Sequence, residues 1–280
     1  MDNFFIILVF QFAYVNKKLV AFLQAILCCV LFTAALALTG PLKHVLPPQF
    51  ERYAYGAIGV IVSLVVVWLF CKWVKKQPAD YGLQWGSKSS KNFLTGFIFG
   101  LILSVLAFFI VIWANGLSVV LAADYNIGIF FLWAMALLLL SLMEEIAFRS
   151  FAFIHLKNNL GIWPAQITIA ILFALYHVVG GQDMPTSFMG PGVWAFIFGW
   201  AVLRSGGIAM ATGIHFAANL LQTVMGQKSS YPSIWKVDIS EGISASLQQQ
   251  INTTGMLVQG GILIVGIVLT IMLQRKKLVV

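Results

Sequence analysis

The sequence predicts an all-α fold: a polytopic membrane bundle of about eight transmembrane helices, with N- and C-termini cytoplasmic. Three observations lead there. Charged residues are 9% of the 280 (17 Lys+Arg and 9 Asp+Glu), against about 25% in soluble domains. Hydrophobic residues make up 60% and the mean hydropathy is +0.93. The apolar residues fall into successive runs, most of them near the roughly 20 residues that cross a bilayer. So few charges cannot wet a water-facing surface, which excludes a cytosolic enzyme, a nucleic-acid module and a disordered regulator.

The run 4–15 is short for a span, and Lys17 and Lys18 follow it rather than precede it. A signal peptide carries its positive charge first. The run is therefore expected to lie at the interface or to extend the first helix. Spans are expected at 19–39, 54–74, 93–114, 131–157, 164–181, 191–203, 207–225 and 255–273, with 191–203 the shortest. Pro47, Pro48, Pro78, Trp163, Pro164, Pro185 and Pro191 mark the joins. Gly96 and Gly100 form a small-xxx-small pair in the third span, expected to pack against another helix. The long polar stretch 226–254 reads as a surface connector. No internal repeat of the kind that builds many transporters is visible, and residues 1–280 read as one integral membrane domain.

Lysine and arginine test this layout. With the N-terminus inside, the inner side holds Lys17, Lys18, Lys72, Lys75, Lys76, Lys88, Lys91, Lys157, Arg204, Arg275, Lys276 and Lys277; the outer side holds Lys43, Arg52, Lys228 and Lys236. Twelve against four is the asymmetry that cytoplasmic loops show. The net charge of +8 is thereby topological and implies no nucleic-acid partner. Cys28, Cys29 and Cys71 sit in apolar runs and make neither a metal spacing nor a disulfide framework.

Topology leaves Glu144, Glu145 and Arg149 unexplained, inside MALLLLSLMEEIAFRSFAF. A charge at the centre of a spanning helix costs about 2.5–3.5 kcal/mol even on the cheaper insertion scales. Glu145 and Arg149, four apart, share a helical face and can pair. Glu144 is turned about 100° away and has no local partner. Packing by a salt-bridged triad is the competing explanation. Against it stand His177 in AILFALYHVV and His215 in IAMATGIHFAANLL, with Asn219 one turn further on. Measured from the inner ends of their spans, Glu144 and His177 lie about 20 Å deep, Asn219 about 18 Å and His215 about 12 Å. Three helices thus carry anomalous polar residues to a similar level. His44 and His155 lie in loops or near helix ends.

A carboxylate in a low-dielectric pocket can act as general base near neutral pH. Glu144 suits that role, with His177 as a second proton carrier. His215 and Asn219, one turn apart, supply donors for a developing oxyanion, so the set points to hydrolysis of an acyl bond. No His-Glu-x-x-His and no Gly-x-Ser-x-Gly is present. Asp124 and Asp183 lie too far from the middle of a span to form an acidic dyad, and Ser141 reads as helix-interior. Two alternatives stay open. In one, His177, His215 and a Glu hold Zn as the cofactor of a metal-dependent membrane hydrolase. In the other, the chain is a non-enzymatic immunity or scaffold membrane protein.

Glu144-Glu145-x-x-x-Arg149, Phe173-x-x-x-His177 and His215-x-x-x-Asn219, in that order and on separate spans, resemble the intramembrane CAAX prenyl protease type II and bacteriocin-processing family. The resemblance covers roughly residues 127–225. It implies an intramembrane endopeptidase in which Glu144 and His177 activate water, Glu145 pairs with Arg149, and His215 and Asn219 form the oxyanion hole, with no cofactor. The implied partner is a membrane-embedded or membrane-associated peptide or protein substrate. The compact chain resembles prokaryotic members, which implies a cytoplasmic (inner) membrane.

Overall fold

The computed structural model describes residues 2–123, 125–228, 232–238 and 244–278; Asp124, weighed above, lies outside them. The chain is an all-α membrane bundle. α1 (Asp2–Thr39), α2 (Glu51–Trp73) and α3 (Ser89–Ala114) are long apolar helices. α4 (Ile127–Ala147) continues through a π-helical turn, Phe148–Ala152, into α5 (Phe153–Leu160). α6 (Ile162–Val179) is followed by the short α7 (Met184–Ser187), a second π turn at Phe188–Gly192 and α8 (Val193–Ser205). α9 (Ala209–Val224) and α10 (Ala245–Leu278) complete the bundle. Two short strands, β1 (Ser118–Leu121) and β2 (Trp235–Asp238), pair antiparallel outside the helices with Ser118 opposite Asp238.

Among the described residues, seven helical segments are long and apolar enough to cross a membrane: Asn16–Val45, Pro48–Trp73, Ser89–Ala114, Ile127–Leu160, Ile162–Val179, Met184–Ser205 and Ala245–Arg275. The short segment is α9, at 16 residues, rather than the 191–203 run, which α7 and the second π turn lengthen. α9 still rises about 24 Å from one end of the bundle to the other. At its start the Ile208 amide donates to the Gly82 carbonyl at 3.4 Å; at its end the Ile234 amide donates to the Val224 carbonyl at 3.2 Å, beside β2. These contacts define a Gly82 end and a strand end. The first turn of α2 belongs to the strand end: the Tyr53 hydroxyl donates to the Leu132 carbonyl and the Arg52 guanidinium lies 5.2 Å from the Trp133 ring centroid. The run 4–15 does extend the first helix, since α1 begins at Asp2.

Two departures from the sequence reading bear on the site. The fourth span is not one continuous α-helix: Ser150 sits at φ −84°, ψ −106° within the π turn, and its hydroxyl donates back to the Ile146 carbonyl. Extra residues in a turn rotate everything after them about the helix axis. The 226–254 stretch is more than a surface connector, because it contains β2 and sends Lys228 inward. Asp183 caps α7, accepting from the Thr186 amide at 2.9 Å, which holds its carboxyl below the usual range.

Side chains facing outward along the spans, such as Ile61, Ile98, Ile102, Phe109 and Ile264, are exposed and apolar, as a lipid-facing surface requires. Inside, Phe148, Phe151, Phe153 and Phe173 are fully buried. The close approaches use glycine. α3 and α9 run parallel, and the Gly96–Gly100 face expected to pack does so. A Cβ on Gly100 would stand 2.7 Å from the Ile214 Cα and carbonyl oxygen, and one on Gly213 2.8 Å from the Phe97 amide. α2 approaches α4 in the same way, a Gly56 Cβ falling 2.8 Å from Leu139 Cβ. Backbone atoms cannot swing aside as a side-chain tip can. Gly100→Leu is therefore expected to destabilise the protein by about 1–3 kcal/mol, whereas Gly86→Ala, with nothing within 4 Å, should be neutral. Thermal unfolding of the two variants in detergent checks this.

Candidate active site

The last turn of α4 carries Glu144 and Glu145, and the π turn carries Arg149. Glu145 and Arg149 are completely buried. Glu145 Oε2 lies 3.6 Å from Arg149 Nε, an ion pair too long for a hydrogen bond. The other oxygen of Glu145 accepts from His215 Nδ1 at 2.8 Å. Glu145 is thus shared between α9 and its own helix, and its stronger contact is with His215 rather than with the expected arginine.

Arg149 is compensated by ring faces. Its guanidinium carbon lies 3.9 Å from the Phe173 ring centroid, 5.1 Å from that of Phe198 and 5.9 Å from that of Phe148. Nε, Nη1 and Nη2 have no hydrogen-bond partner among the described residues. A desolvated cation–π contact contributes about 2 kcal/mol, while burying the ion costs several kcal/mol. The arrangement is electrostatically expensive, so bundle stability alone does not account for it.

Glu144 faces the other way, into a cavity of about 370 Å³. Its Oε2 lies 3.6 Å from His215 Nε2 and 4.0 Å from His177 Nε2. His177 Nδ1 donates to the Phe173 carbonyl at 2.9 Å; a carbonyl can only accept, so this bond places a proton on Nδ1 and leaves Nε2 toward the carboxylate. Phe173 therefore serves three groups. Its carbonyl orients His177, its ring lies against Arg149, and the same ring meets the edges of His177 and His215 with centroids 4.7 and 6.0 Å apart. Phe198 stacks on His215 at 4.6 Å.

Asn219 lies one turn beyond His215 at the cavity wall. Its Nδ2 donates to Ser141 Oγ at 3.2 Å, and its Oδ1 accepts from Lys228 Nζ at 2.7 Å. Ser141 is buried inside α4, as the sequence suggested, yet it also touches the site. Lys228, nine residues past Asn219, reads in the sequence only as an outer-loop charge. The signal available in the sequence was its place as the first charge after the uncharged run 205–227. Burial pushes its amine down to about 8, opposed by the charge of Glu144. Tyr55 and Tyr176 also line the cavity. Of the remaining histidines, His44 pairs with Glu51 at 3.0 Å on the surface. His155 joins Gln24 at 3.0 Å and Tyr81 at 3.3 Å near the Gly82 end, away from the cavity.

The structure thus brings Glu144, Glu145, Arg149, His177, His215 and Asn219 from three spans into one cluster. It departs from the simplest picture at His215. Because Nδ1 is committed to Glu145, only Nε2 faces the cavity, and that nitrogen donates only when the ring carries both protons. As for a metal, no group of three His, Cys, Asp or Glu among the described residues is gathered so as to hold an ion.

No curated protein matches the chain. One family model does, over residues 126–221. That stretch includes all six residues of the cluster and Ser141, and ends before Lys228. Residues 126–221 match the model of the family described as type II CAAX prenyl endopeptidase Rce1-like, and the three motifs that carry the resemblance lie within that stretch.

Proposed function

We propose that the protein is an intramembrane endopeptidase that hydrolyses a peptide bond with water activated by Glu144 and His177. The observation that carries the reading is the convergence of His177 and His215 within 4.0 Å of Glu144 at the wall of one cavity. Family resemblance supports the reaction class.

One water can contact both Glu144 Oε2 and His177 Nε2, which are 4.0 Å apart. Glu144 takes its proton as the oxygen attacks the scissile carbonyl carbon, and the carbonyl π electrons move onto oxygen. The resulting oxyanion accepts from Asn219 Nδ2 and from the Nε2 proton of doubly protonated His215. Collapse of the tetrahedral intermediate expels the amine, which takes the proton held by Glu144, and the carboxylate is restored. His177 carries protons between Glu144 and the cavity water. Glu145 holds the His215 ring in place, and Arg149 balances its charge. Lys228 orients the Asn219 amide through its oxygen, so that Nδ2 presents its donors to Ser141 and the cavity.

Glu144→Gln removes the base while keeping the shape. It is expected to lower cleavage by about 10²–10⁴-fold, measured with purified protein and a pool of membrane peptides; full activity would sink the assignment. The pH profile tests Lys228. Burial favours its neutral form, so the charged amine prevails below about pH 8 and is lost above it. Cleavage should fall as pH rises through about 8. Lys228→Arg, which stays charged, should move that alkaline limb upward.

A further inference from the structure

We infer that His155 is a positioning residue for the site: by tying α5 to Gln24 and Tyr81, it fixes the π turn and through it the Glu145–His215 contact. Its part in the reaction rests on the endopeptidase reading, whereas the link from His155 to His215 rests on packing alone.

His155 is buried where three segments distant in sequence meet. Its Nε2 lies 3.0 Å from Gln24 Oε1 on α1, and its Nδ1 lies 3.3 Å from the hydroxyl of Tyr81, in the loop between α2 and α3. An amide oxygen only accepts, so Nε2 carries the ring proton and Nδ1 takes that of Tyr81. A ring bonded at both nitrogens has its direction set. Apolar side chains of the same shape would pack here at nearly the same stability, so what the polar trio adds is direction. It also braces the π turn. Phe151, inside that turn, stacks on His155 with centroids 4.7 Å apart and 15° between the planes. The same ring meets Tyr81 at 4.8 Å and Phe70 at 5.3 Å.

Direction matters most at the π turn. One residue fewer in that turn would rotate α5 by about 100° and carry His155 away from Gln24 and Tyr81. Holding His155 therefore holds the extra residue in the turn. Arg149 lies within it, so its pairing with Glu145 at 3.6 Å depends on the path the turn takes. Glu145 in its turn anchors His215 at 2.8 Å. A second link runs to α9 directly. Gly82, the residue after Tyr81, takes φ +74° and accepts from the Ile208 amide at 3.4 Å. A Cβ there would stand 3.1 Å from Ile154 Cδ1 and 3.0 Å from Gly207 Cα. α9 begins at Ala209 and bears His215 about two turns on. Tyr81 and Gly82 thus touch both α5 and the start of the helix that carries His215.

The test uses the full-length protein in detergent, isotopically labelled at its four histidines, and follows the Nδ1 proton of His215 by nuclear magnetic resonance. Gln24→Leu and Tyr81→Phe each remove one hydrogen bond of the trio while keeping the bulk of the side chain. In both, the His215 signal should move upfield, as a weaker bond to Glu145 requires. In both, kcat should fall by up to about 10²-fold with KM unchanged. Thr270→Val, which removes the 3.1 Å bond from Gln166 on α6 to Thr270 on α10, should lower thermal stability yet leave the signal in place. An unmoved signal in either trio variant, an equal shift in Thr270→Val, or an unchanged kcat despite a shift would overturn the inference. The signal needs no activity, so a wild type that cleaves no peptide while its trio variants shift His215 would fault the endopeptidase reading alone.

Discussion

Burial of an acidic group between a guanidinium and an imidazole is the interaction on which the rest of this structure depends. Glu145 has no exposed surface; it meets Arg149 at 3.6 Å on one side and His215 at 2.8 Å on the other. An ion taken this far from water must be compensated at close range or it destabilises the fold. The contact therefore constrains α4, the π turn and α9 together. Glu144, the next residue, is left on the cavity side because successive helical side chains diverge by about 100°.

The surrounding architecture serves that placement. Gly56 lets α2 close on α4, and Gly96, Gly100 and Gly213 let α3 and α9 meet backbone to backbone. These approaches hold the helices bearing Glu144 and His215 at a fixed distance. The π turn begins directly after Ala147 and contains Arg149; insertions of this kind are common where a helix must aim a functional side chain. Phe173 then links the third helix, since one residue orients His177 through its carbonyl and shields Arg149 with its ring. Aromatic surface stands in for water around a cation that is poorly hydrogen-bonded, which leaves the hydrogen-bonding capacity of Glu145 for His215.

Much of this was legible in the sequence, for a physical reason. In lipid, a charged or strongly polar side chain stands out against its neighbours, so Glu144, Glu145, Arg149, His177, His215 and Asn219 announced themselves. Spans were legible because hydropathy and length suffice for them. What escaped depends on long-range geometry. The π turn leaves no mark in a run whose apolar pattern is nearly continuous. Lys228 looked like any loop cation, because nothing local says that its loop folds back over the helix it follows. Tyr55 and Tyr176 were hidden among 39 aromatic residues (23 Phe, 9 Trp, 7 Tyr), where no single ring is conspicuous. The preference of His215 for Glu145 could not be read either, since helix spacing reveals only partners on the same helix.

The account's central claim is that two adjacent carboxylates have different tasks: Glu145 is held for the architecture and Glu144 for chemistry. Thermal stability of Glu144→Gln and Glu145→Gln, measured side by side in detergent, separates them. Glu145→Gln should lose about 3–5 kcal/mol, because it leaves Arg149 buried without its counter-ion. Glu144→Gln, whose side chain faces the cavity, should be as stable as the wild type or more so. Equal and large losses in both variants would contradict the division of labour and make the pair a structural unit.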